Sequence, residues 1–186
     1  MLDNRHILLG VTGGVAAYKA VDLASKVTSA GAEVKTVMTE AACQLIAPKS
    51  FEAVTQSAVY TTMWSTPDAF KIGHIALADW ADVVVVAPAT ADMLAKVAHG
   101  LCDDLLSTTL CACWAKPILF APAMNSRMWE NPATQANVET LTKRGVHLIG
   151  PEEGRLACGT SGPGRMSEPQ DIVDAVVKIA SNIKKM

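Results

Sequence analysis

The chain has 186 residues, of which 50% are hydrophobic and 18% are charged, and its formal net charge is -2. This length fits one compact domain, and the lack of any block rich in lysine or arginine argues against nucleic acid or an anionic membrane as the main partner. No apolar stretch approaches the roughly 18–20 residues that cross a bilayer, and the N-terminus lacks the apolar run of a secretion signal. We therefore expect a cytoplasmic protein, with some apolar surface buried between subunits.

Short apolar runs alternate with longer helical stretches, which predicts parallel strands connected by helices. The predicted strands are, in chain order, residues 5–11, 33–38, 82–87, 116–121 and 146–149. The predicted helices are residues 15–29, 40–45, 75–80, 91–99, 104–114, 132–144 and 169–183. We predict that Ser167 caps the last helix, with Gln170 three positions later. The fold class is α/β: a three-layer doubly wound parallel sheet, Rossmann or flavodoxin-like, in a single domain over residues 1–186.

Ligands in such sheets bind beyond the carboxyl ends of the strands. After the first strand, Gly13 and Gly14 would let backbone amides approach a phosphate at the start of a helix. The spacing matches neither the dinucleotide motif nor the P-loop, so a tight turn without a ligand stays an alternative. Thr39, after the second strand, is either a helix N-cap or a second phosphate contact.

The segment after the third strand, Pro88-Ala-Thr-Ala-Asp92, has small side chains that would let a flat ring lie close to the backbone. A plain loop with Asp92 as a helix cap fits equally well. His74 opens a short helical stretch, where the helix dipole disfavours the imidazolium form and leaves a neutral imidazole able to act as a general base. A purely structural histidine is the alternative.

Two later segments have candidate residues for substrate binding and proton transfer. Asn125, after the fourth strand, could hold a carboxylate or a carbonyl through its amide. Residues 151–166 contain four glycines between Gly154 and Gly164, which predicts a mobile loop over the site. Cys158 in this loop suits a proton donor or a nucleophile, and Arg155 and Arg165 beside it favour an anionic substrate.

The remaining cysteines are predicted to be reduced core thiols. The chain has five cysteines at irregular spacing, which is not a disulfide framework. Cys102, Cys111 and Cys113 with His99 could be considered as metal ligands. However, Cys111-x-Cys113 lies in an apolar helical run and no C-x-x-C pair exists, so we predict no metal site.

Three blocks resemble the homo-oligomeric flavin-containing cysteine decarboxylases. These are His-Ile-Ala-Leu-Ala-Asp-Trp-Ala-Asp at 74–82, Pro-Ala-Met-Asn-x-x-Met-Trp at 122–129 and Ala-Cys-Gly-x-x-Gly-x-Gly-Arg-Met at 157–166. The resemblance covers residues 5–177, with the blocks in the family's order. One residue departs from the family, which commonly has Asp where this chain has Thr160, so details of the clamp over the substrate differ.

The resemblance implies an FMN-dependent homotrimer, or a multiple of trimers, with each flavin near a subunit interface. His74 would act as the base, Asn125 would bind the substrate carboxylate and Cys158 would be the proton donor. The residues expected to bind FMN are Gly13, Gly14, Val15, Thr39, Thr90, Ala91, Asp92, Met93 and Ala123. The residues expected to bind substrate are Asn125, Arg155, Leu156, Ala157, Arg165 and Met166.

The implied activity is a carboxy-lyase reaction on 4'-phosphopantothenoyl-L-cysteine that yields 4'-phosphopantetheine for coenzyme A. In this reaction the thiol-bearing carbon is oxidised to a thioaldehyde, carbon dioxide leaves, Cys158 protonates the enethiolate that remains, and reduced FMN returns the hydride. Members of the family also occur fused to phosphopantothenate-cysteine ligase, so fusion or association with that ligase is expected.

Three other functions remain open at this stage. The first is decarboxylation of the C-terminal cysteine of a peptide antibiotic precursor, which would share the blocks containing His74 and Asn125 but differ in the clamp. The second is the flavin prenyltransferase group, in which the block at 122–129 is not expected. The third is a regulatory flavin-binding protein without catalysis. Such relatives are expected to lack the histidine or the cysteine, whereas this chain has both, His74 and Cys158.

Overall fold

The computed structural model describes residues 1–64 and 73–183. The strands are β1 (His6–Val11), β2 (Glu33–Met38), β3 (Val59–Tyr60), β4 (Val83–Ala89), β5 (Ile118–Pro122), β6 (His147–Leu148), β7 (Glu152–Arg155) and β8 (Ser161–Arg165). The helices are α1 (Ala17–Ser29), α2 (Glu40–Cys43), α3 (Pro48–Thr55), α4 (Gly73–Trp80), α5 (Ala91–His99), α6 (Leu105–Ala112), α7 (Ser126–Trp129), α8 (Pro132–Lys143) and α9 (Pro169–Ser181).

Six strands form one parallel sheet in the order β3-β2-β1-β4-β5-β6. The chain runs from β1 outward to β3 and then returns to the other side of β1 at β4. The point between β1 and β4 is therefore the topological switch point, where the strand ends leave a crevice. The doubly wound parallel fold predicted from the sequence is confirmed.

The two faces of the sheet have separate apolar cores, and β4 contributes to both. Every residue of β4 is buried: Val83, Val85 and Ala87 face the core beneath α1, α3 and α9, whereas Val84 and Val86 face the core beneath α4, α5, α6 and α8. Successive side chains of a strand alternate between faces, so this valine-rich run fills both cores at once. The result is a three-layer molecule.

Two sequence expectations about the last third of the chain are wrong. The N-cap of α9 is Glu168 rather than Ser167, because the Ser167 hydroxyl instead donates to Glu152 Oε1 at 2.8 Å. Gln170 likewise bonds Asp174, at 3.0 Å. The segment at 151–166 was predicted as a mobile loop with no strands, yet residues 152–155 and 161–165 form the antiparallel hairpin of β7 and β8.

Among the described residues, no helix is both long enough and apolar enough to span a membrane.

Candidate active site

A cavity of about 560 Å³ opens at the carboxyl edge of the sheet, at the switch point between β1 and β4. Its volume lies within the range of about 300–1,000 Å³ that is usual for small-molecule sites. The loops after β1, β4 and β5 form its floor, and the β7–β8 hairpin forms one wall. Its lining residues are Gly13, Gly14, Val15, Ala16, Tyr18, Lys19, Thr90, Ala91, Ala123, Met124, Asn125, Met128, Arg155, Leu156, Ala157, Cys158, Gly164, Arg165 and Met166.

The glycine pair after β1 makes a tight cradle between two neighbouring segments. A Cβ on Gly13 would lie 2.5 Å from the Cβ of Ala41, and a Cβ on Gly14 would lie 3.4 Å from the Pro88 ring. Helix α1 begins just beyond, and its N-cap, Ala16, provides no side-chain hydrogen bond. The first amides of α1 therefore have no capping side chain, which suits an anionic group at the positive end of the helix.

Thr12, which the sequence analysis did not single out, joins the ends of β1 and β4 beneath the cavity. Its hydroxyl donates to the carbonyl of Pro88 at 2.6 Å and accepts from the amide of Thr90 at 3.1 Å. The residue is 1% exposed, so both backbone groups depend on this side chain. Thr12 thereby fixes the loop at 88–92 against the glycine pair.

The hairpin wall rests on the segment after β5 through two of its glycines. The amide of Met124 donates to the carbonyl of Gly164 at 3.0 Å, and a Cβ on Gly164 would lie only 2.1 Å from the Met124 carbonyl oxygen. A Cβ on Gly162 would lie 2.6 Å from the hydroxyl of Ser126. The absence of side chains at these glycines lets β8 contact the segment that contains Asn125.

Cys158 lies in the turn of the hairpin, where two side chains contact its sulfur. Nδ2 of Asn125 donates to Sγ at 3.1 Å, and Oγ1 of Thr160 lies 3.1 Å from the same sulfur. The hydrogen bond from the Thr160 side chain is the largest cause that lowers the pKa of Cys158, and the Thr160 amide and the Asn125 side chain also lower it. Cys158 is thus an exposed thiol that can release a proton more readily than an ordinary cysteine.

Positive charge predominates at the cavity wall. Lys19, whose side chain is 15% exposed, and Arg165 both contact Oε1 of Glu168 at 2.9 Å. Arg155 also lines the cavity. The wall therefore has three cationic side chains, and one carboxylate, that of Glu168, pairs with two of them. The contact with Lys19 is the main cause that lowers the pKa of Glu168, so that the carboxylate remains ionised. This balance favours an anionic ligand.

Many of the residues predicted from the sequence line this cavity together. From the predicted FMN set these are Gly13, Gly14, Val15, Thr90, Ala91 and Ala123. From the predicted substrate set, all six lie in the lining: Asn125, Arg155, Leu156, Ala157, Arg165 and Met166. The proton donor predicted from the sequence, Cys158, lies beside them.

Four predicted residues do not line the cavity. Thr39 lies in an adjoining hollow beyond β2, where its hydroxyl accepts from the amide of Ala42 at 3.2 Å, so it acts as the N-cap of α2. Asp92 is exposed and pairs with Lys96 at 3.5 Å. The Met93 side chain is fully buried in the core beneath α5. His74 is half-buried in the first turn of α4.

Six lining residues were not among the predicted site residues: Ala16, Tyr18, Lys19, Met124, Met128 and Gly164. Three of them lie in helices and were missed because their sequence context is that of an ordinary helix. Tyr18 and Lys19 lie in the first turn of α1 and Met128 lies in the short helix α7. A usable signal was present for the first two, since the opening turn of the helix after a glycine pair faces the switch-point crevice. Tyr18, Val15 and Met128 are 63%, 64% and 49% exposed and form an apolar rim at the cavity mouth.

The donor set fits flavin mononucleotide. The glycine cradle and the uncapped start of α1 would hold its phosphate, while the small side chains of Ala91 and Ala123 leave room for a flat ring against the backbone. The Thr90 hydroxyl accepts from the Met93 amide at 3.4 Å and so shapes the loop beside the ring. Within residues 1–64 and 73–183, no cluster of histidine, cysteine or acidic side chains is arranged to bind a metal ion.

Comparison with curated proteins identifies relatives that cover most of the chain. The coenzyme A biosynthesis bifunctional protein CoaBC of Bacillus subtilis (strain 168) is 48% identical over 178 residues, which are 96% of this chain and 44% of the relative. The protein of the same name from Escherichia coli (strain K12) is 45% identical over 176 residues, or 95% of this chain and 43% of the relative. The chain thus spans less than half the length of the curated relatives it matches.

Solved structures match both fold and length. A cysteine-to-serine mutant of PPC decarboxylase, complexed with pantothenoylaminoethenethiol, has a TM-score of 0.86 and 35% identity over 96% of this chain and 100% of that chain. The FMN binding protein AtHal3 has a TM-score of 0.84 and 35% identity over 98% and 100% of the two chains. The FMN-dependent cysteine decarboxylase SpaF has a TM-score of 0.83 and 37% identity over 97% and 99%. With residues 1–181 matched by the family model described as Flavoprotein, the chain belongs to the flavoprotein family.

Proposed function

We propose that this protein is a phosphopantothenoylcysteine decarboxylase, an FMN-dependent carboxy-lyase that converts 4'-phosphopantothenoyl-L-cysteine to 4'-phosphopantetheine for coenzyme A. The observation that carries this proposal is the Asn125 amide 3.1 Å from the Cys158 sulfur at the wall of the cavity. It brings a group able to hold a carboxylate and a group able to deliver a proton to the same point. The relatives named for coenzyme A biosynthesis and for PPC decarboxylase support the choice of substrate.

FMN is the cofactor in this proposal, held by the cradle at Gly13, Gly14 and Val15 together with Thr90, Ala91 and Ala123. Bound FMN supplies a two-electron acceptor that can take a hydride from the substrate and later return it. Thr39, Asp92 and Met93 are also proposed as neighbours of the cofactor. Met93 would contact it through its backbone only, because its side chain is buried in the core. The cavity and the family match support the cofactor.

Three side chains would carry the proton and binding steps. The imidazole of His74 would act as the base and take the proton from the substrate thiol. Asn125 would hold the substrate carboxylate by its amide until carbon dioxide leaves. The Cys158 thiol would then protonate the remaining carbon, and the resulting thiolate would be stabilised by the donors that already contact the sulfur. Arg155 and Arg165, with Leu156, Ala157 and Met166, would close over the anionic substrate.

The assignment of His74 requires more than one copy of the chain. Because His74 does not line the cavity of its own chain, the histidine that serves each cavity would come from a neighbouring copy. The apolar rim at the cavity mouth supports this arrangement, since Val15, Tyr18 and Met128 are exposed in the single chain and would be covered by a neighbour. We therefore propose a homotrimer or a multiple of trimers.

The proposed decarboxylase domain spans residues 1–186, with the clamp over the substrate at 151–166. The relatives indicate which other domain it would accompany. The matched curated proteins are bifunctional and more than twice as long, which supports fusion or association with phosphopantothenate-cysteine ligase. The proposed compartment is the cytoplasm, where five unpaired cysteines would stay reduced.

The test combines a visible absorption spectrum of the purified protein with release of carbon dioxide from phosphopantothenoylcysteine. We expect a flavin spectrum and carbon dioxide release. Cys158→Ser should still release carbon dioxide but accumulate the unprotonated product. The matched control is Cys111→Ser, which should behave as wild type: Cys111 and Cys102 are exposed rather than core thiols as predicted, and Cys111 lies on α6. Mixing His74→Asn with Cys158→Ser subunits should restore part of the turnover, because mixed trimers contain some intact shared sites.

Two results would contradict the proposal in different ways. Absence of flavin, even after addition of FMN, would refute the cofactor and the activity together. A flavin spectrum with no carbon dioxide release from phosphopantothenoylcysteine would refute the substrate. In that case, release from a peptide with a C-terminal cysteine would instead indicate a peptidyl-cysteine decarboxylase, and no release from either would indicate a flavin-binding regulatory protein.

A further inference from the structure

We propose that Thr160 is a positioning residue for Cys158, and that its hydroxyl is the group that holds the sulfur at the cavity wall and receives the thiolate after proton transfer. This inference rests on the proposed role of Cys158 as proton donor. Thr160 is the residue at which this chain departs from the family that it resembles, in which Asp is common at that position.

The turn of the hairpin fixes the Thr160 hydroxyl against the sulfur. The Leu156 amide donates to the Thr160 carbonyl at 2.8 Å, and the Gly159 amide donates to the Leu156 carbonyl at 2.9 Å. These two bonds close the turn around Cys158 and hold Oγ1 of Thr160 3.1 Å from Sγ. The backbone of the turn thus places residues 158 and 160 side by side, within reach of a contact between their side chains.

The direction of the hydrogen bond changes with the state of the sulfur. In the thiol form, either the sulfur or the Thr160 oxygen can donate. A thiolate has no proton, so after transfer the hydroxyl must donate to the sulfur, as the Asn125 amide already does. The Thr160 hydroxyl therefore stabilises the product of the proton transfer more than its reactant, which is the property required next to an acid.

Other titratable side chains line the same cavity as the sulfur. The hairpin contributes Arg155 and Arg165 to the cavity, and α1 contributes Lys19 and the phenol of Tyr18. The segment after β5 contributes no titratable side chain to the lining among the residues that the structure describes. Among residues 1–64 and 73–183, only Asn125 and Thr160 are in hydrogen-bond contact with the sulfur through their side chains. The hydroxyl is therefore the group whose removal isolates the effect.

The test is the pH dependence of alkylation of Cys158 by iodoacetamide, followed by mass spectrometry of the peptide that contains it, across the range around the ordinary thiol pKa of about 8.5. Thr160→Val removes the hydroxyl at nearly constant shape and should slow alkylation about two- to fivefold at a fixed pH below the pKa, with the whole profile displaced to higher pH. Thr160→Ser should restore the wild-type profile. Thr142→Val, an exposed threonine on α8, is the matched control.

The outcomes separate this inference from the proposed function. Alkylation needs neither flavin nor substrate, so a displaced profile in Thr160→Val with rescue in Thr160→Ser supports the inference even if carbon dioxide release is absent. An unchanged profile in Thr160→Val overturns it even if the protein is an active decarboxylase. If Thr160→Val disturbs the hairpin, a Thr160→Ser profile that fails to match wild type overturns it as well.

Discussion

Docking of the hairpin against the segment after β5 can be disrupted by one methyl group at Gly164. Its Cβ in Gly164→Ala would lie 2.1 Å from the Met124 carbonyl oxygen, whereas a carbon and a carbonyl oxygen approach to about 3.3 Å at closest. Strand β8 must therefore retreat by about 1 Å, which breaks the hydrogen bond between the Met124 amide and the Gly164 carbonyl. The φ angle of +140° adds strain for any residue with a side chain.

The loss can be expressed as a shift in hairpin docking. A lost hydrogen bond costs about 1 kcal/mol and the strained backbone costs about 1–2 kcal/mol, or together about 2–3 kcal/mol. If only the docked hairpin brings Cys158 to Asn125, then kcat/KM should fall by up to about 30- to 150-fold, the full factor applying where docking is marginal in the wild type. The unfolding temperature should change little, because a chain that keeps its sheet with the hairpin detached loses only the docking free energy.

The assay is carbon dioxide release from phosphopantothenoylcysteine, with thermal unfolding and protease cleavage within 151–166 measured on the same samples. Gly145→Ala is the matched control, since Gly145 has a φ angle of +87° and no atom within 4 Å of an added Cβ, which gives strain without a clash. If Gly164→Ala keeps kcat/KM within about threefold of wild type while its hairpin becomes sensitive to protease, docking does not control the reaction.

Three further predictions concern single side chains. Thr12→Val should lower the unfolding temperature by about 4–8 °C, the shift for about 2 kcal/mol, because the buried Pro88 carbonyl and the part-buried Thr90 amide lose their partner. Thr36→Val should be neutral or stabilising, because the buried Thr36 hydroxyl bonds nothing in the described part of the chain, and thermal unfolding compares the two variants. Lys19→Met should raise the KM for substrate several-fold in steady-state assays, and Lys26→Met, with its pair on the outer face of α1, should not. Burial raises the pKa of Cys113 to about 11, so between about pH 9 and pH 11 the unfolded chain binds fewer protons than the folded chain. The free energy of unfolding, measured with urea, should therefore fall as the pH rises through this range. Cys113→Ala should make that fall less steep.

The parts of the fold that local sequence determines could be predicted to the residue. The predicted bounds of β2 and α5 match the structure. In β2 the valines fill both cores, and in α5 the residues Thr90 and Gly100 mark the two ends of the helix. Thr90 caps α5 through its hydroxyl, so the alternative of Asp92 as the helix cap is wrong, and Gly100 ends the helix in the left-handed conformation.

The hairpin could not be predicted, because its pairing depends on contacts from outside it. Strand β8 has the sequence Ser-Gly-Pro-Gly-Arg, which has low strand propensity and no alternating apolar pattern. What makes it a strand is its close approach to Met124 and Ser126, together with its pairing to β7. For the same reason Ser167 bonds Glu152 at the base of the hairpin instead of capping α9.

Local stability links this hairpin to the proposed chemistry. A two-stranded hairpin is marginal alone. Strand β7 is mostly exposed and β8 buries only Gly164, so the hairpin depends on its contact with the segment that contains Asn125. That contact also sets the distance between the Asn125 amide and the Cys158 sulfur. A substrate that touches both the cavity floor and Arg155 would stabilise the docked hairpin, because it binds only that arrangement. Binding of the correct substrate would thus itself bring the proton donor into place, while a truncated substrate lacking the anionic end should lose turnover as well as affinity.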